Sequence, residues 1–398
     1  MRFGLLLRYD YTCIWKTGID RAAECRARVR GLAEFDGIMK NGIILSVCAA
    51  ILLAACVSGG GEEKVRYDDS AAKGFMTSEI VADIVLVPLQ TSDGSMVSER
   101  SGVICHDGDY IVYGPDNVVK RFDASGRFLN DMGNMGDASD EYLHIGGIGM
   151  KGDTLCVKDV RDGRCRHYSL DGDFISSHVY SEEQGLVDSV VCGDVTYKLY
   201  SYDHERGYRL AQLRSGETER TFLPVMTHDS GVGGLDGLDL MCAAGDEVYF
   251  TEFLSDRIMS VSPQGLKLRW TLDMGPYAAP KDAETMSGDD LSAVLQSGGV
   301  SMNAKLHVSE RYMILLRTVA DEYNTVIYMV RDSESGRWNF IKSRSDDAFG
   351  GMPCFCGDEI IFVSPARKVL NLTGPVRSDS LAGLDDESNS VIIRVKLK

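Results

Sequence analysis

The chain has 398 residues, 44% hydrophobic and 25% charged, with only 9 prolines. That is enough apolar material for a sizeable core and too little compositional bias for a disordered polymer. The formal net charge of −17 comes with no Lys/Arg cluster. This excludes a nucleic-acid backbone as partner and disfavours direct electrostatic attachment to anionic lipid, leaving neutral or cationic ligands and other proteins.

The first strongly non-globular segment begins at Met39. Met39-Lys40-Asn41-Gly42 is a short basic start, Ile43 to Leu53 is apolar, and Ala54-Ala55-Cys56 follows. That order predicts a secretory signal over 39–55. The apolar run is short of the roughly 20 residues that a membrane-spanning helix needs. Residues 1–38, with Arg2, Arg8, Lys16, Arg21, Arg26, Arg28 and Arg30, do not fit ahead of such a signal and read as an upstream extension of the frame. Leu53-Ala54-Ala55-Cys56 resembles the lipobox of bacterial lipoproteins. The resemblance implies that Cys56 carries a diacylglyceryl group, becomes the mature N-terminus and ties the protein to a membrane. Residues 56–80, opening on Val57-Ser58-Gly59-Gly60-Gly61-Glu62-Glu63, are expected to be a flexible tether. Their acidic pair resembles the signal that sends Bacteroidetes lipoproteins to the cell surface. The expected location is therefore the outer membrane, on its periplasmic or external face.

Seven cysteines follow Cys56, an odd number at irregular spacing, so no disulfide framework is legible. Cys156, Cys192 and Cys242 sit in or beside apolar runs, where a free thiol acts as a small hydrophobe. Cys354-Phe355-Cys356 has no second Cys/His pair nearby, and no metal-ligand set is assigned to the chain.

Internal repetition predicts the architecture. A Gly-Asp pair precedes a β-rich run five times, at Gly108-Asp109, Gly152-Asp153, Gly193-Asp194, Gly245-Asp246 and Gly357-Asp358. A sixth, altered copy is Ser309-Glu310-Arg311 before Tyr312-Met313-Ile314-Leu315-Leu316. A second strand follows each copy, and most add a Gly-containing turn and a third, as in Ala124-Ser125-Gly126 before Arg127-Phe128-Leu129. Repeats of roughly 40 to 60 residues with about four strands are propeller blades. The fold class expected over 81–398 is all-β, a six-bladed β-propeller. Its seam is expected where the strand Asp83 to Leu89 pairs with the last strand, Ser390 to Lys398, removing the exposed edges of an open array. The one helix expected is short, from Asp289 to Gln296.

Val87-Pro88-Leu89-Gln90-Thr91 with Asp93-Gly94, the stretch Phe122 to Leu129, Gly133-Asn134-Met135-Gly136 before Glu141-Tyr142, and Phe253 to Ile258 carry a family likeness. So do Leu272-Asp273-Met274-Gly275 and the closing run from Ser390. These stretches resemble the six-bladed β-propeller lipoproteins of Bacteroidetes, relatives of the NHL-repeat propellers. The likeness departs at Asp137-Ala138-Ser139-Asp140, where the family has Gly-Pro-Gly. It implies fold and export rather than chemistry.

The chain has no G-x-S-x-G elbow, H-E-x-x-H pair, Walker loop or EF-hand loop. Candidate ligand-binding residues are therefore the polar and aromatic ones in loops that a propeller gathers at one mouth. They are Glu141 and Tyr142; Asp159, Arg161, Asp162 and Arg164; Asp203, His204 and Arg206; and Asp256 and Arg257. Mixed charge in these loops suits hydrogen bonding to a neutral polar ligand. The function expected is a binding or scaffold module for a glycan, a peptide or an outer-membrane protein. The alternative, by analogy of fold, is a lyase- or lactonase-type enzyme using a divalent cation such as calcium.

Overall fold

The computed structural model describes residues 63–179, 185–201, 206–225, 238–283, 286–372 and 381–398. The extension, the signal and Cys56 lie outside them. Two N-terminal strands come first, β1 (Glu63–Arg66) and β2 (Val81–Pro88). Then follow β3 (Gly102–His106), β4 (Asp109–Tyr113), β5 (Val119–Phe122) and β6 (Phe128–Asp131). The next set is β7 (Ile145–Lys151), β8 (Thr154–Asp159), β9 (Arg164–Tyr168) and β10 (Phe174–Val179). After it come β11 (Leu186–Cys192), β12 (Val195–Tyr200), β13 (Tyr208–Arg214) and β14 (Glu217–Pro224). A further set is β15 (Met241–Ala244), β16 (Glu247–Phe250), β17 (Arg257–Ser262) and β18 (Gly265–Asp273). The last strands are β19 (Ser301–Val308), β20 (Tyr312–Val319), β21 (Val326–Asp332), β22 (Trp338–Ser343), β23 (Cys354–Cys356), β24 (Glu359–Ser364) and β25 (Val391–Leu397).

Strands adjacent in sequence are adjacent in space, giving the sheets β3 to β6, β7 to β10, β11 to β14, β15 to β18 and β19 to β22. The sixth sheet runs β2-β25-β24-β23. These are the blades of a six-bladed β-propeller. Short runs with alternating burial make them so: in β8, Leu155 and Val157 are fully buried while Cys156 between them is only partly so.

Residues 63–67 with 185–306 form one compact unit, and residues 68–179 with 307–398 the other. The first has a core of Tyr197, Leu199, Leu210, Leu240, Val248 and Phe250 among others. In the second, one cluster gathers Leu89, Tyr110, Val112, Phe122, Ile361 and Ile392, and another gathers Ile111, Met132, Tyr142, Leu155, Val157 and Tyr168.

The repeated Gly-Asp pairs lie at the hairpin between the first and second strands of their sheets. In four of them Gly takes the first loop position at positive φ, between 56° at Gly152 and 63° at Gly245, as a type II′ turn requires. The first copy is shifted by one residue. There His106 pairs with Asp109, so the loop is Asp107-Gly108, both at positive φ (48° and 89°), the signature of a type I′ turn. Asp109 is thus a strand residue rather than a turn residue.

The seam forms as expected. β2 pairs antiparallel with β25 from Val81↔Leu397 to Pro88↔Val391, and β25 pairs on its other side with β24. Gly126 helps to lock the neighbouring sheet onto this one: at φ 84°, a Cβ there would sit 2.2 Å from the Pro88 carbonyl oxygen. Gly172 repeats the device one sheet further on, at φ 87° and 2.2 Å from the Asp131 carbonyl. Only glycine fits such an approach.

The tether expected over 56–80 is shorter than the composition suggested. β1 pairs in parallel with β18, Lys73 bridges to Ile341, and Phe75 packs among Tyr328, Phe349 and Phe362. The two apolar residues Val65 and Phe75 overcome the polar residues around them, because each finds a buried site. The short helix is present as α1 (Gly288–Ser297), with the Ser287 side chain accepting from the Asp290 N–H at 3.2 Å. A single turn, α2 (Ala366–Val369), lies between β24 and β25.

Candidate functional site

Three of the four loops expected to bind a ligand occupy the same place in their own sheets. Residues 160–163 join β8 to β9, residues 201–207 join β12 to β13, and residues 251–256 join β16 to β17, each linking a second strand to a third. Glu141 and Tyr142 lie in the link from β6 to β7. Asp203 and His204 fall outside the described residues.

In the second unit, the 160–163 loop is built on a buried carboxylate. Asp159 closes β8, and its two oxygens accept the backbone N–H groups of Leu143 at 2.8 Å, His144 at 3.3 Å and Arg161 at 3.0 Å. Arg166, on β9, reaches Asp159 at 3.4 Å and Asp162 at 2.6 Å. The side chains of Arg166 and Asp159 are 5% and 3% exposed. The Arg166 guanidinium holds the Asp162 carboxyl below the usual carboxylate range. Asp159 is thus spent on organising two loops. Arg161 projects outward, half-exposed, and pairs with Asp137 at 2.9 Å. Arg164 is partly buried at the start of β9, and its N–H donates to Asp162.

Glu141 and Tyr142 are also occupied internally. Glu141 accepts the Ala138 N–H at 3.0 Å and lies over Gly136, where a Cβ would meet its carboxylate at 1.9 Å. Tyr142 is 1% exposed, donates to the Met132 carbonyl at 3.3 Å and packs edge-on to Tyr168. Burial pushes its phenol up. Tyr168 in turn donates to the Asp140 carbonyl at 2.8 Å, tying the end of the stretch Asp137 to Asp140 to β9.

In the first unit, Arg206 lies 4.3 Å from the Tyr200 ring centroid in a cation–π contact. The 251–256 loop rests on a second buried ion pair, Glu252 with Arg209 of β13 at 2.6 Å, their side chains 6% and 7% exposed. Arg257 approaches Glu252 from the more exposed side, at 3.9 Å. The Asn303 amide, fully buried on β19, donates to Thr251 Oγ1 and to the Glu252 and Ser255 carbonyls, at 2.6 to 2.9 Å. Asp256 gives its backbone carbonyl to the Leu272 N–H at 2.7 Å.

Sequence reasoning missed Arg166, Arg209 and Asn303, the residues that fix these loops from below. Arg209 is a polar side chain beside apolar Leu210-Ala211, and that is a signal that could have found it, whereas Arg166 in Arg164-Cys165-Arg166-His167 and Asn303 beside Lys305 carry no such contrast. It also missed Asp188 on β11. Burial, with Asp239 nearby, pushes that carboxyl up to about 7 although it accepts from Met241 and Ser189 N–H groups. Two groups among the described residues bring three possible cation ligands together, Cys156-Cys165-His167 and His106-Asp107-Asp153. Neither includes a residue of the candidate loops.

The family described as Domain of unknown function (DUF4934) matches residues 66–396. The chain belongs to this DUF4934 family. The family region thus begins inside β1 and ends inside β25, taking in every blade. Among solved structures, the DUF4934 chain resembles a Bacteroides fragilis NCTC 9343 protein named as a presumed exported protein. The TM-score is 0.61 at 12% identity, over 85% of this chain and all of that one. It also resembles a member of the DUF4221 family from Bacteroides vulgatus ATCC 8482, with a TM-score of 0.51 at 9% identity over 80% and 97% of the two chains. At such identities the likeness concerns the fold alone. No curated protein matches the sequence.

Proposed function

We propose that this DUF4934 protein is an exported, lipid-anchored β-propeller that binds a glycan, peptide or outer-membrane partner through the loops joining second to third strands. Export and anchoring rest on the signal over 39–55 and on Cys56. The Bacteroides fragilis neighbour named as exported is in keeping with the export part of this reading.

The observation that carries the binding role is the buried ion pair beneath two of these loops, Asp159 with Arg166 and Glu252 with Arg209. Burying two charges costs several kcal/mol per ion before their attraction offsets it, so such pairs are poor stabilisers and good fixers of geometry. A loop fixed before its partner arrives loses less entropy on binding. Arg161 then stands as a guanidinium on a fixed loop, and Arg206 as one held over the Tyr200 ring, each able to donate to sugar hydroxyls or peptide carbonyls.

The test is a glycan and peptide array probed with the Cys56-onward protein, followed by titration of any hit against Arg161→Ala and Arg206→Ala. Each substitution should weaken binding several-fold while the melting temperature stays within a few degrees, as expected of surface changes of about 0.5 kcal/mol. Unchanged binding together with a large loss of stability would make both arginines structural and defeat the proposal.

A further inference from the structure

On β8, β9 and β10, the side chains on the face opposite Leu155, Val157 and Tyr168 form a small lattice. Cys156 opposes His167 and Lys158 opposes Cys165; on the next strand Ser176 opposes His167 and His178 opposes Cys165. Alternation along each strand puts all six on one face. The Sγ atoms of Cys156 and Cys165 and a ring nitrogen of His167 lie within 4.8 Å of one another. Cys165 is buried, and the other two are partly buried. The His178 ring stands 5.2 Å from the His167 ring, tilted at 68°, and Ser176 Oγ is 3.3 Å from His167 Nδ1.

We infer that Cys156, Cys165 and His167 form a binding site for one zinc ion, with His178, on the same face of the sheet, the candidate for its fourth position. Two thiols and an imidazole are the donor set that tetrahedral zinc prefers. Zn–S of about 2.3 Å and Zn–N of about 2.0 Å place ligand atoms roughly 3.5 to 3.8 Å apart, so the site need close by at most about 1 Å on loading. That movement is within the reach of side-chain rotation. Burial pushes both thiols up, so each carries its proton before the metal arrives and releases it to solvent on binding, two protons per zinc. His167 is pushed the other way, by burial and then by His178 and Lys151, which keeps a ring lone pair for the metal. Lys151 and Lys158 are the neighbouring cations, and both favour the thiolate of Cys156.

The competing chemistry is a disulfide. The two cysteines are diagonal rather than directly opposed, and diagonal neighbours across antiparallel strands lie about 7–8 Å apart at Cα. A disulfide usually spans about 4.4 to 6.8 Å, so bridging this pair would need the strands to shift.

Protein purified under reducing conditions and then freed of reductant is titrated with zinc against a chromophoric chelator, and separately with Co(II) followed by absorption. One zinc per chain is expected, with a thiolate-to-cobalt charge-transfer band and proton release on binding. Cys156→Ser and His167→Ala should each lower zinc affinity by at least about tenfold, since even outer-shell changes cost that much. Both should keep the metal-free melt of the parent, and Cys356→Ser should bind as the parent does. The inference is overturned if no stoichiometric zinc binds, if binding survives in Cys156→Ser, or if it is lost in Cys356→Ser. It is equally overturned if protein alkylated directly in isolated envelopes carries a Cys156–Cys165 disulfide.

Discussion

Asp188 shows how one residue can set the pH response of a blade. Its Oδ2 accepts the Met241 N–H and its Oδ1 the Ser189 N–H, both at 2.7 Å, yet burial holds its pKa at about 7. In the unfolded chain the same carboxyl titrates near 4 (about 3.9 for a free Asp). Between those values the folded chain holds a proton that the unfolded chain has lost. Stability must therefore fall as pH rises through this window and level off above it. Asp188→Asn removes that dependence. In urea unfolding at about pH 5 and about pH 8, the wild type should lose roughly a few kcal/mol more than Asp188→Asn between the two conditions. Equal losses would show that Asp188 is as acidic in the folded chain as in the unfolded one. Nothing in the sequence around Val187-Asp188-Ser189 announces this. The perturbation comes from burial in the folded sheet, with Asp239, far along the chain, adding to it while the Met241 and Leu240 N–H groups pull the other way.

At the scale of elements, the strands were the most legible feature, because most are short β-branched or aromatic runs and five of the six copies open on a Gly-Asp pair. The seam was legible too, since β2 and β25 both read as strands with no partner nearby in sequence. Where legibility failed, tertiary contacts won. Asp107 takes positive φ and moves the first turn back by one residue, and Val65 and Phe75 draw a polar segment into the fold. The seam also depends on a residue that no pattern marks. Asn389, 1% exposed, accepts the Val97 N–H and donates to the Gln90 and Ser95 carbonyls, at 2.8 to 3.1 Å. Ending the chain before Ser390 removes β25 from between β2 and β24, leaving two strand edges unpaired at once. Such a truncation should aggregate or lose its cooperative melt, as judged by scattering and circular dichroism. A truncated chain that melts like the full one would show that β25 is not what closes this sheet.

For the molecule as a whole, the sequence located the candidate loops but not what holds them. Arg166 and Arg209 become meaningful only once strand pairing brings them beneath Asp159 and Glu252. How the whole protein meets a membrane is proposed from Leu53-Ala54-Ala55-Cys56 alone, and physical arguments narrow the proposed mechanism further. A chain of net charge −17 gains little from an anionic surface. Among the described residues, no helix is long and apolar enough to cross a bilayer. Attachment on the proposed scheme therefore rests on the lipid at Cys56, where each buried CH₂ contributes about 0.8 kcal/mol and two or more acyl chains make the hold firm. Glu63 is already paired in β1, so only residues 57–62 separate the anchor from the folded region, a span of at most roughly 25 Å when extended. The propeller would ride close to the membrane. Cys56→Ala should abolish incorporation of labelled fatty acid and move the protein from the membrane pellet to the soluble fraction, or leave it uncleaved at this site. It should not change the melting temperature of the propeller, whose described strands begin after the anchor. If Cys56→Ala fractionates with membranes and is processed as the wild type is, the lipid anchor is refuted.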